Sequence, residues 1–246
     1  MLKNKKIILA GTLLVAGAIA VAGTFAWFTD SDTVTNSFKL ANLDIEIVDT
    51  FKFDDNTAPN IQPGDNIEKD VTVKNEGSVP TLVRVKLEET LALPERDQDQ
   101  DGEVIVEDNE VKMAQAETGY RGLNKSTIDI IPNDDDDTTT LADQIPVVHG
   151  GAVTADLSAQ GEFDWWYNEA DGYFYYLKAL ETGTETEKLV DQVQFSGANI
   201  GNELMYAAYT LTPNAEATQV NADAVRDSWG AGLEDLIDYL ELEPSL

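Results

Sequence analysis

Short runs in which apolar and polar residues alternate, each closed by a turn signal, constrain this chain more than any other feature of its sequence. Leu43-Asp44-Ile45-Glu46-Ile47 has the period of two that puts alternate side chains on one face of a strand. Pro63-Gly64-Asp65 is a turn signal. Ile67, Val71 and Val73 then lead into Asn75-Glu76-Gly77, and Thr81 to Glu88 reads as the next strand, so the pattern predicts a hairpin around that turn. Phe163, Trp165, Trp166 and Tyr167 precede Asn168 to Asp171-Gly172, and Tyr173-Phe174-Tyr175-Tyr176-Leu177 follows it. Aromatic runs on both sides of an Asp-Gly turn predict a second hairpin. Leu189 to Phe195 and Leu204 to Leu211 read as two further strands. The tail from Asn221 reads as helix, with Ala224, Val225 and Trp229 on one face and Glu234 to Leu242 continuing it. Roughly seven to nine strands with few long helices predict an all-β sandwich or barrel.

Residues 91–146 break the alternation. Asp97-Gln98-Asp99-Gln100-Asp101-Gly102 and the run Asp134 to Asp137 mark them as an acidic, solvated insertion with at most short elements. The whole chain of 246 residues is long enough to bury a sizeable core. It has no cysteine, so no disulfide braces it. Net charge is −30, and −33 once Lys3, Lys5 and Lys6 are set aside. No basic patch is visible, which argues against nucleic-acid binding. Such charge opposes self-association at low salt, and salt or divalent cations would relax it.

The N-terminus carries an export pattern. Lys3-Asn4-Lys5-Lys6 is a positive region, Ile7 to Ala22 is apolar, and small residues follow. Thr24 and Ala26 at −3 and −1 place cleavage before Trp27, making 1–26 a signal peptide and 27–246 a single exported domain. A retained anchor is the rival, because Ile7 to Phe28 is long enough to span a bilayer. Gly11, Gly17 and Gly23 weaken that helix. On the cleaved reading the protein is secreted and meets the membrane only through the uncleaved signal.

Gly23-Thr24-Phe25-Ala26-Trp27-Phe28-Thr29-Asp30, then Asn36-Ser37-Phe38 and Leu43-Asp44-Ile45, resemble the start of the TasA-like biofilm matrix proteins. Ile61-Gln62-Pro63-Gly64-Asp65 and Lys69 to Ser78 resemble that family's second signature. Trp166, Asp171 to Tyr176, Ala215 to Gln219 and Trp229 resemble the BsaA-like branch of alternate-signal exported proteins. The resemblance implies a jelly-roll-like sandwich, processing by a SipW-type signal peptidase, and head-to-tail polymers with copies of the same chain. In such polymers the N-terminal segment of one subunit completes a sheet of the next. Here that donor is 27–37, with Trp27, Phe28, Val34 and Phe38 available to fill pockets. Pairing of this segment within its own domain, or service as a linker, stays open.

Asp97, Asp99, Asp101 and Gly102 copy the first half of a calcium loop, with Glu103 at position 7 and Asp108 at position 12. No helix pair flanks it, so Ca2+ here competes with a solvated acidic loop. Asp134 to Asp137 lack the spacing. His149, beside Gly150-Gly151, is the only histidine. No H-E-x-x-H metalloprotease motif or nucleophile elbow occurs, although some relatives of the resembled family have been described as proteases. A glycosidase-like carboxylate pair with Trp165, Trp166 and Tyr167 lining a sugar is a third possibility. The sequence therefore predicts a fibre-forming structural subunit rather than an enzyme, with a calcium-dependent monomeric adhesin or ligand-binding module as the alternative.

Overall fold

The computed structural model describes residues 42–51, 61–97, 102–108, 110–128, 140–200 and 204–242. All lie in one compact unit, Ala41–Leu246. The strands are β1 (Ile45–Phe51), β2 (Asn66–Asn75), β3 (Thr81–Ala92), β4 (Arg96–Asp97), β5 (Glu103–Val104), β6 (Val106–Glu107), β7 (Glu110–Val111), β8 (Glu117–Arg121), β9 (Val147–Val148), β10 (Val153–Thr154), β11 (Trp165–Asn168), β12 (Tyr173–Tyr176), β13 (Val190–Gln194) and β14 (Ala208–Gln219). The helices are α1 (Leu141–Gln144), α2 (Ala222–Trp229) and α3 (Glu234–Tyr239). The chain is all-β with short C-terminal helices, as its alternation predicts.

Two sheets carry the fold, curled into a half-barrel. One runs β1-β2-β13-β9; the other runs β10-β11-β12-β3-β14, with β8 also on β3. The aromatic hairpin forms where expected: Trp165 faces Tyr176 and Asn168 faces Tyr173. Its turn needs Gly172, at φ 76°.

The hairpin expected around Asn75-Glu76-Gly77 does not form. β2 already has β1 on one side and β13 on the other, so β3 crosses into the second sheet. Asn75, fully buried, builds the corner. Its amide donates to Val79 O and Leu180 O (both 2.8 Å), and its Oδ1 accepts from Gly77 N (2.8 Å). A Cβ on Gly77 would lie 2.5 Å from Asn42 O, so the corner admits only glycine.

The hairpin strands alternate between two apolar clusters. Trp165, Tyr167, Phe174 and Tyr176 point between the sheets with Val71, Val85, Leu87 and Leu189. Trp166, Tyr175 and Leu177 point outward, where Val225 of α2 and Leu236 and Ile237 of α3 cover them. α2 starts at Asn221, whose side chain accepts from Ala224 N at 2.8 Å.

Residues 91–146 are more ordered than their composition suggests. They contribute two small hairpins, β4-β5 and β6-β7. They also supply β8, paired with β3 from Leu87↔Arg121 to Leu91↔Glu117. Ile128, Leu141 and Ile145 enter the inter-sheet core. β8 brings Arg121, 2% exposed, against the fully buried Glu89 of β3. Arg121 Nε donates to Glu89 Oε2 at 3.0 Å and Nη2 approaches it at 2.8 Å. The Tyr209 hydroxyl donates to Oε2 at 3.0 Å, and the Ser126 hydroxyl to Oε1. Burial raises the Tyr209 pKa, so the phenol stays a donor. Sequence reasoning missed this cluster. The available signal was parity: Glu89 shares the inward face of β3 with Leu87 and Leu91.

Candidate functional site

The most distinctive surface feature is a pair of sheet edges. β1 pairs with β2 from Ile45↔Asn75 to Phe51↔Lys69. β14 pairs with β3 along its whole 12-residue length. Among the described residues neither strand has a partner on its other side. The two strands approach within 8 Å between Cα atoms, so both open edges flank one seam. Pro213 lies inside β14; proline lacks the N–H that a central strand needs, so it belongs on an edge. An open edge offers unpaired N–H and C=O groups to another strand. On β1, Ile45, Ile47 and Val48 are half-buried, while Glu46 and Asp49 are exposed. Asp49 accepts from the buried Lys69 ammonium at 2.7 Å.

The signal and donor residues Thr24, Ala26, Trp27, Phe28, Val34 and Phe38 lie outside the described residues. So do Asp99, Asp101 and Asp134 to Asp137. Of the rest of the calcium set, Asp97 faces Glu103 across the β4-β5 hairpin. Gly102, at φ 75°, helps turn that hairpin, and its N–H donates to Asp97 O at 3.1 Å. Asp108 sits apart, between β6 and β7, in the left-handed region at φ 53°. Trp165 is fully buried and Tyr167 nearly so, which makes them core; Trp166, 9% exposed, lines an open cavity of about 660 Å³ with Asp156, Asp235, Asp238 and Tyr239.

His149 follows β9. Its Nδ1–H donates to Leu189 O at 2.6 Å, its Nε2 lies buried, and its ring packs 5.3 Å from that of Phe174. Burial pushes its pKa below the ordinary 6.5, more than the Leu189 and Leu123 backbone contacts raise it. Among the described residues no three His, Cys, Asp or Glu converge as metal ligands, and none of the described helices is long and apolar enough to span a membrane.

Fold and edges define an acidic all-β protein whose β1 and β14 edges are unpaired among the described residues. A family model described as camelysin metallo-endopeptidase matches residues 3–160, and the chain belongs to that family. No curated protein matches it. Camelysin is related to, but distinct from, the TasA-like group that the sequence resembles. The expectation that the chain is not an enzyme is overturned by this match, which points to a protease. The family is of cell-surface type. Its description implies a metal, but the described residues do not fit one: the sole histidine is buried against a carbonyl and has no converging co-ligands.

Proposed function

We propose that the chain is an exported structural subunit that assembles head to tail into an extracellular fibre of a biofilm matrix or pilus-like filament. The observation that carries this reading is the seam with open edges on β1 and β14. An extended segment such as 27–37, carrying Trp27, Phe28 and Val34, can add there as a strand: backbone hydrogen bonds supply affinity and side chains supply register. Exposed apolar residues gather at the ends of those strands: Leu43 before β1, Met205 and Tyr206 before β14, and Val220 after it. Head-to-tail addition does not close on itself, so it yields a filament. Removal of 1–26, by a SipW-type peptidase, would free the donor only after export. Calcium or salt would hasten assembly by screening the negative charge.

The test compares chains beginning at Trp27 and at Ser37 by sedimentation and electron microscopy, across salt and calcium. The longer chain is expected to form filaments, the shorter to stay monomeric, and the peptide 27–37 added in trans to cap growth. Filaments formed equally by both would refute strand donation. Persistent monomers of the longer chain would favour the adhesin reading. Endopeptidase activity is the second reading, favoured by family membership. It is measured on the same samples with an unfolded protein substrate, with and without a chelator.

A further inference from the structure

A cavity of about 330 Å³ opens between α1, the loop after β8 and the turn at Ser196–Asn199. Its polar lining is Arg121, Asn124, Asp143, Ser196 and Asn199. Arg121 is 2% exposed, and its Nε and Nη2 are committed to Glu89 and, at 3.4 Å, to the Tyr209 hydroxyl. Its Nη1 has no hydrogen-bond partner among the described residues. A brace between β3 and β8 needs only the two committed nitrogens. No nitrogen of Arg121 is among the buried side-chain atoms left without a partner, so Nη1 is open to the cavity. Glu89 cannot turn to help, because Arg121, Tyr209 and Ser126 already donate to it. On the opposite charge, Thr140 donates twice to Asp143 Oδ2, at 2.8 and 2.7 Å, and Oδ1 has no such donor.

We propose that this cavity binds the carboxylate of an amino-acid-sized ligand, either a free α-amino acid or the C-terminal residue of a short peptide. Nη1 of Arg121 donates to the carboxylate, with Asn124, Ser196 and Asn199 supplying further polar atoms. Asp143 Oδ1 faces the ammonium when the ligand is a free amino acid. Glu89 and Asp143 disfavour a multiply charged anion such as phosphate, because two carboxylates already stand near it.

The whole chain, labelled with ¹⁵N, is titrated with alanine, N-acetylalanine and alaninamide at matched ionic strength. The expected result is saturable shifts of amides around the cavity with alanine or N-acetylalanine and none with alaninamide. Alanine binding tighter than N-acetylalanine identifies a free amino acid; the reverse identifies a chain terminus. Ser196→Val, at the rim, is expected to keep the melting temperature and weaken binding. Arg121→Lys is expected to weaken it roughly tenfold, the loss of one charged hydrogen bond. Absence of saturable shifts overturns the proposal. So do equal shifts with alaninamide, or undiminished affinity in both variants.

Discussion

The two apolar clusters meet the same aromatic hairpin from opposite sides, yet they are closed by different means. The inner one lies between two sheets whose strands come from distant parts of the chain, and the Glu89–Arg121 pair is buried beside it. The outer one is roofed by α2 and α3, of 8 and 6 residues, which follow β14 directly. Helices this short do not persist alone, and α3 has no side-chain cap. The roof therefore holds only while its apolar face stays docked. The comparison teaches that strand pairing can make a core cooperative, whereas a locally built lid is the element that opens first.

The largest effect is expected inside. Trp165→Ala removes a fully buried indole and should destabilise by about 3–5 kcal/mol in urea unfolding. A smaller loss would mean that the sheets collapse onto the gap. Leu236→Ala in the roof should cost about 2 kcal/mol, near the lower end for such truncations, because a lid resettles more easily than a sheet. Hydrogen exchange should then quicken in α2 and α3 while β2 and β3 stay protected; uniform quickening would erase the distinction between the clusters. Asn221→Ala, which removes the cap of α2, should cost about 1 kcal/mol, again confined to the roof.

The smallest effect runs the other way, because the only histidine belongs to the inner side. Burial holds the folded His149 pKa below 6.5. The unfolded chain therefore binds more protons as pH falls through 6.5, so stability is full above that value and declines until the folded pKa is reached. His149→Gln should flatten this part of the profile. An unchanged slope would assign it to the carboxylates instead.

Much of this architecture was legible in the residues. The aromatic hairpin was legible because an aromatic run on each arm and an Asp-Gly turn all demand the same geometry. The apolar spacing of α2 was legible for the same local reason. The crossover after β2 was not, because Asn75-Glu76-Gly77 carries the same turn chemistry whether the chain reverses or turns a corner. What decides is Leu180, over a hundred residues away, accepting from the Asn75 amide. β8 was obscured by the acidic composition around it, and the partner of Arg121 sits on β3, 32 residues earlier. Of the candidate site, the strand read at Leu204 to Leu211 stopped short of Pro213, which lies inside β14 (Ala208–Gln219) and belongs on an edge. The seam itself depends on long-range pairing that no local pattern reports.

One peptide bond separates Trp165 from Trp166, and strand geometry sends their indoles into different compartments. Trp165 has no exposed surface and donates its indole N–H to Glu187 O at 3.1 Å; Trp166 lies under the roof, 9% exposed. The molecule thus carries two optical reporters on adjacent residues. With Trp27 and Trp229 replaced by phenylalanine, a red shift of emission from Trp166 alone would register the lid lifting, and quenching of Trp165 would register the sheets parting. Their order in time would separate the two events in a single stopped-flow trace.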